Sequence, residues 1–180
     1  MFRISWTIAL WFFNSLAFSQ EGLVIDNLKD TRAPWTVFTD AVMGGVSEGE
    51  LVELEDSGSA FYRLQGDVST KNNGGFIQYR TKTELKGTKY EGIRIKVRGN
   101  DNEYFIHVRT RATIFPWDYY SASFEVTDEW SVIVLPFQDF SKSSWRLPKK
   151  IRSSGIKSIG LVAFGKDFSA ELDLASIELY

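Results

Sequence analysis

Histidine occurs once in this chain, at His107, and its neighbours decide what chemistry is open to it. In an extended run it shares one face with Phe105, Arg109 and Arg111, because side chains alternate along a strand. A hydrolase would use His107 to activate a nucleophile. No nucleophile elbow, which sets its serine between a strand and a helix, accompanies it. A lone histidine on a strand reads more simply as a hydrogen-bonded surface group. Glycosidases need two carboxylates at a set separation, and 23 acidic residues mark out no particular pair. The absence of cysteine removes thiol catalysis and cysteine-based zinc sites. Asp26, Asp40 and Asp173 are the carboxylates available to join backbone carbonyls around a structural calcium, although no calcium loop is present. No other cofactor or metal is implied.

Two glycine pairs ask for a phosphate-loop reading and fail it. Gly44-Gly45 lies in DAVMGGVS, Asp40 to Ser47, and Gly74-Gly75 in NNGGF, ending at Phe76. Neither is followed by the Lys-Ser/Thr of a nucleotide-binding loop, nor by a helix. Glycine tolerates positive φ, so the first pair fits a bend into the strand beginning near Val46, and the second a hairpin turn. Asp40 and Ser47 are read as bracing that bend, with a ligand-facing role as the alternative.

Binding has better support than catalysis. The outward residues of four runs are Gln78 and Arg80; Arg94, Lys96 and Arg98; Phe105, His107, Arg109 and Arg111; and Ser121, Ser123 and Glu125. Set side by side, they make one polar, arginine-rich sheet face. The segment ATIFPWDYY, residues 112–120, brings Phe115, Trp117, Tyr119 and Tyr120 to the same end. Arginine forks beside aromatic rings suit a sugar, whose hydroxyls take planar hydrogen bonds and whose ring faces stack. The candidate ligand-binding residues from this face are therefore Arg80, Arg94, His107, Arg109, Trp117 and Tyr119. The simpler reading of the same residues is an ordinary solvated face with cross-strand ion pairs, and the binding surface is the alternative to it.

The elements that must position these residues are strands. Helical periodicity is nearly absent, and short alternating runs are punctuated by Gly, Asn, Asp and Pro. Strands are expected at 59–65, 75–82, 92–98, 103–111, 120–126, 130–135, 156–164 and 170–179, with weaker ones at 23–28, 35–38 and 46–53. Leu172 and Leu174 are out of phase with Ile177 and Leu179, so a bulge is expected at Ala175-Ser176. Eight or more strands in two antiparallel sheets predict an all-β jelly-roll sandwich.

The 180 residues suffice for one domain with its own core. Residues 1–19 read as a secretory signal peptide: Arg3, an apolar run, then Ala17-Phe18-Ser19 as the cleavage site. The run is short for a membrane span, with an uncleaved anchor as the alternative. The expectation is an exported protein, periplasmic or secreted, with one domain over 20–180 and no membrane insertion after cleavage. Net charge is −2, so nucleic acid and anionic membranes are not expected partners.

Taken in order, the motifs resemble a known family. They are Trp35; Asp40 to Ser47; Phe61 with Gly66 to Ser69; Asn73 to Phe76; Arg80; Val97 to Asn100; Tyr104 and Arg109; Ser123-Phe124; Trp130; Leu135 to Phe137 with Asp139-Phe140; and Ile159 to Leu161. This combination resembles the complex I intermediate-associated protein 30 family across residues 23–180. The resemblance implies a galactose-binding-like jelly roll, related to carbohydrate-binding modules such as family 11, and no enzyme activity. Mitochondrial members are chaperone-like assembly factors for NADH:ubiquinone oxidoreductase. The signature positions carried over are Asp40, Met43, Gly44, Gly45, Ser47, Asn73, Gly74, Gly75, Phe76 and Arg80. Where the family often shows Arg-Gly after the Asp-Phe segment, this chain has Trp145 and Arg146 within Ser143 to Pro148, and Trp145, as an exposed aromatic replacing that pair, joins the candidate ligand-binding residues. An export signal is also not the address of a matrix assembly factor. The function expected is a non-catalytic assembly module with a protein partner in the cell envelope. The alternative is a secreted carbohydrate-binding domain with a glycan as its partner.

Overall fold

Alternation of apolar and polar residues builds two antiparallel sheets in a computed structural model describing residues 22–83, 85 and 89–180. The expected signal segment, 1–19, lies outside the described residues. Sheet A contains β1 (Leu23–Asp26), β3 (Glu48–Asp56), β4 (Ser59–Val68), β6 (Gly92–Gly99), β9 (Ser131–Pro136) and β12 (Phe168–Leu179). Its order is β3-β4-β12-β6-β9, with β1 beside the last residues of β12. Sheet B contains β2 (Trp35–Thr39), β5 (Phe76–Lys82), β7 (Glu103–Thr110), β8 (Tyr120–Glu125), β10 (Ser141–Lys142) and β11 (Ile156–Phe164). Its order is β10-β8-β7-β11-β5-β2. The two-residue β10 carries no alternating pattern and was not an expected strand.

The sheets pack face to face, as an all-β sandwich requires. Leu64, Ile95, Val97 and Leu174 enter the core from sheet A, and Tyr79, Tyr104, Ile106 and Leu161 from sheet B, all fully buried. In β12 the pairing with β6 slips between Leu174 and Ser176. The bulge expected there turns Ile177 and Leu179 inward beside Leu172 and Leu174.

Two expectations are corrected. NNGGF is not a hairpin turn: it joins β4 of sheet A to β5 of sheet B. Both glycine pairs are crossovers between the layers, since DAVMGGVS joins β2 of sheet B to β3 of sheet A. The second correction concerns β6. Alternation fixes which residues point outward but not which sheet a strand joins. β6 pairs with β12 and β9, so Arg94, Lys96 and Arg98 lie on the opposite side of the molecule from Arg80 and His107.

Candidate functional site

The outer face of sheet B is assembled by register. One cross-strand row reads Thr36, Arg80, Gly160, His107, Ser121 and Ser141; the next reads Phe38, Gln78, Val162, Phe105 and Ser123. Directly paired residues point the same way. The Arg80 guanidinium lies 4.4 Å from the Phe38 ring centroid. Among the described residues no carboxylate pairs with it. Burial, and then the like charge of Arg109, push its pKa below the ordinary arginine value. Gly160 keeps the middle of the row low. A Cβ there would sit 2.5 Å from the Gln78 carboxamide nitrogen, which lies across it.

His107 is not the surface group expected. It is 9% exposed, and its ring stacks on Tyr119 at 4.0 Å between centroids, 17° from parallel. Phe105 and Phe164 flank it. Burial lowers its pKa to about 4, so the imidazole is neutral at pH 7. Among the described residues its ring hydrogen-bonds to no serine, threonine or carboxylate, so no nucleophile pair forms. The sequence does contain the letters of an elbow, Gly45-Val46-Ser47-Glu48-Gly49. Ser47, however, is followed by strand β3 rather than a helix, and its buried hydroxyl donates to Asp40 at 2.5 Å.

Arg109 is a clamp. Its two terminal nitrogens donate to the Phe115 and Pro116 carbonyls, both at 2.8 Å. The loop 111–119 is thereby held over the end of the sheet. Phe115 and Trp117 stack at 5.1 Å, and Arg146 covers the Phe115 ring at 4.9 Å. Trp117 remains 61% exposed and Trp145 82%. Ser143 ties their loops together: its hydroxyl donates to the Trp117 carbonyl and accepts from the Tyr119 amide, each at 2.9 Å. The structure thus brings Arg80, His107, Arg109 and Tyr119 onto one face, with Trp117 and Trp145 at its end.

The outer face of sheet A is the counter-example. Asp173, 1% exposed, accepts from Arg63 Nε at 2.6 Å and from Arg98 Nε at 2.8 Å. Arg98 is enclosed by the Phe61 and Trp130 rings. Arg94 pairs with Glu178 and lies over Tyr180. Arg94 is therefore a cross-strand ion pair and not part of the sheet B face.

The three carboxylates considered for calcium serve separate hydrogen-bond sets. Asp26 accepts from the Leu28 and Ala33 amides and the Trp35 indole. Asp173 holds the two arginines, and Asp40 holds the crossovers. Among the described residues no cluster of three or more His, Cys, Asp or Glu is arranged to hold a metal.

Asp40 explains both glycine pairs. Fully buried, it accepts from the Ser47 amide at 2.9 Å and the Ser47 hydroxyl at 2.5 Å. From the other crossover it accepts the Gly75 amide at 2.5 Å and the Phe76 amide at 3.3 Å. In each pair one glycine takes positive φ, Gly44 at 86° and Gly75 at 125°. The other makes room for the carboxylate: a Cβ on Gly45 or Gly74 would lie 2.3 Å from Asp40 atoms. Asn73 also adopts left-handed backbone, and Asn72 donates to the Gly44 carbonyl at 3.2 Å. Burial raises the Asp40 pKa, but the hydrogen bonds from Ser47, Gly75 and Phe76 outweigh it and leave the carboxyl below its usual value. The signature is a structural knot with an exposed tip at Val42 and Met43.

The model of the family described as complex I intermediate-associated protein 30 matches residues 23–174. The chain belongs to that family. No curated protein matches it by sequence. Among solved structures, this family member is similar to the family 11 carbohydrate-binding module of the cellulosomal cellulase Lic26A-Cel5E of Clostridium thermocellum. Identity is 14%, coverage 88% of this chain and 94% of that one, and the TM-score 0.71. A family 11 module from the same organism, in complex with a β-1,3-1,4-mixed-linked tetrasaccharide, matches at 14% identity over 89% and 96% with a TM-score of 0.71. A family 30 carbohydrate-binding module matches at 11% identity over 89% and 99%, with a TM-score of 0.58. At these identities the likeness shows the fold, a galactose-binding-like sandwich.

Within this family member, Phe38, Gly160 and Phe164 were missed as parts of the face. Phe38 stood at the end of a weak strand. A glycine inside an otherwise apolar strand was the available signal for Gly160, because it marks close approach.

Proposed function

We propose that this chain is a non-catalytic binding module that takes a glycan across the outer face of sheet B after export. The observation that carries the reading is Arg80, a half-buried guanidinium without an acidic partner among the described residues, seated on Phe38 and beside Gln78. The sheet A arginines are neutralised by carboxylates, whereas Arg80 keeps its fork for a ligand. Guanidinium and carboxamide donors suit vicinal hydroxyls, and Trp117 and Phe164 supply exposed ring faces. A module of the same fold that holds a mixed-linked tetrasaccharide supports the reading. The test is calorimetry of the protein against a panel of neutral oligosaccharides. Arg80→Ala or Trp117→Ala should each weaken binding by about 1–3 kcal/mol. Binding to none of the panel, or binding indifferent to both changes, contradicts it.

A second reading, assembly on a protein partner in the envelope, is favoured by one observation. The Asp40 knot holds Val42, Met43 and Val46 out into solvent at the signature crossover. It predicts a specific envelope protein in pull-downs with the tagged chain, lost in Met43→Glu. Repeated pull-downs without a specific partner count against it.

A further inference from the structure

Ion pairing divides the arginines unevenly between the two sides of the sandwich, although Arg146 at the sheet B end meets Asp118 at 3.6 Å and Lys96 on sheet A lies over the Trp130 ring with no carboxylate within ion-pair distance among the described residues. On the sheet A side Arg63, Arg94 and Arg98 each have a carboxylate. On the sheet B side Arg80, Arg109, Arg111, Lys150 and Arg152 have none within ion-pair distance among the described residues. The chain as a whole is acidic, so this concentration is not a by-product of general basicity.

Three of these cations line one cleft. Arg111, Lys150 and Arg152 surround a hollow of about 480 Å³ at the end of β7, with Ala112, Tyr120 and Pro148 as its apolar wall. That size is within the range of small-ligand sites. Its walls are tied across: the Arg111 amide donates to the Gly155 carbonyl at 2.8 Å, and the Tyr120 hydroxyl to the Pro148 carbonyl at 2.9 Å. Arg111 opens the turn that follows β7, two residues beyond Arg109. The like charge of Arg109 acts on Arg80 along the same face.

We infer that this cleft receives the anionic substituent, a carboxylate or sulfate, of an acidic saccharide whose other rings reach the outer face of sheet B at Arg80. This rests on the glycan reading above and specifies its substrate class. An apolar wall for a sugar ring beside several charge-assisted donors is what a uronate or a sulfated sugar needs. Neutral sugar rings bound elsewhere on the face would leave these cations unused.

The test is calorimetry at low salt with five probes: tetragalacturonate, a sulfated galactan tetrasaccharide, a neutral mixed-linked glucan tetrasaccharide, inorganic sulfate and a single-stranded oligonucleotide. At least one acidic tetrasaccharide should bind about ten-fold more tightly than the neutral one, the effect of a charge-assisted hydrogen bond. The double variant Arg111→Gln/Arg152→Gln should remove that preference while leaving neutral binding unchanged within about two-fold, the scatter of an uninvolved surface change. Arg80→Ala should weaken both classes. Equal binding of acidic and neutral probes overturns the inference and leaves the glycan reading standing. So does an acidic preference that survives the double variant, or inorganic sulfate binding as tightly as the acidic tetrasaccharide. Absence of binding by all three tetrasaccharides overturns both. A single-stranded oligonucleotide matching the acidic tetrasaccharide would also overturn the inference, by showing general polyanion binding.

Discussion

Replacing Asp40 by alanine should cost more than any surface change in this protein, and its size follows from four hydrogen bonds. The carboxylate accepts three main-chain amides, Ser47, Gly75 and Phe76, and one hydroxyl, Ser47. The hydroxyl has an alternative acceptor in the Ser69 carbonyl at 3.3 Å, but the amides have none. A buried donor left without a partner costs about 1–3 kcal/mol. Water entering the vacated space recovers part of the sum, so a loss of about 3–4 kcal/mol is expected. That is a large share of the roughly 5–15 kcal/mol that holds a domain folded. Urea unfolding at pH 7 should show a lower midpoint with an unchanged slope. The folded carboxyl titrates below its unfolded value of 3.8. The stabilisation is therefore complete above about pH 5 and is lost as pH falls through the folded value. The gap between the native protein and Asp40→Ala should narrow in acid accordingly. A loss below about 1 kcal/mol at pH 7, or a gap indifferent to pH, would refute the reasoning.

Two further changes probe the sheets. His107 titrates at about 4 in the fold against 6.5 outside it, so the unfolded chain takes up the extra proton between those values. Stability should fall by up to about 3 kcal/mol as pH drops from 6.5 to 4, and His107→Gln should lack that part of the decline in urea titrations at pH 7 and 4.5. Equal declines in both proteins would contradict a buried neutral imidazole. Tyr79 is fully buried with a hydroxyl that has no partner among the described residues. Tyr79→Phe should leave stability unchanged or raise it by about 1 kcal/mol in thermal melts, and a clear loss would reveal an acceptor for that hydroxyl.

Much of the fold could be read from alternation, because each strand buries one side only. The run from Gly92 to Arg98 declared its inward residues correctly, and the phase break in β12 located its bulge. Sheet membership could not be read this way. Two outward sets look identical whether their strands are neighbours or lie in opposite layers, and Arg94 was misplaced for that reason. The pairing partner held the answer, since Glu178 and Asp173 stand in register with Arg94 and Arg98. The first glycine pair was legible as a bend and Asp40 as its brace, while the second was misread as a hairpin turn. Their joint role was not legible, because it depends on two crossovers meeting 35 residues apart. His107 was misread because the aromatic that covers it, Tyr119, comes from the following loop. Arg80 and Arg109 share a face as the strand pattern expected, while Phe38 beneath Arg80 depended on a pairing between β2 and β5 that local sequence does not announce.

The central claim is that ligand meets this protein on the outer face of sheet B. Backbone amide NMR of the labelled protein, titrated with the tightest-binding oligosaccharide, tests it most directly. Shifts should concentrate at Gln78, Arg80, Phe105, His107 and Trp117, with Arg63, Arg98 and Asp173 on sheet A unmoved. Shifts centred on the sheet A residues, or none on sheet B at saturation, would contradict it.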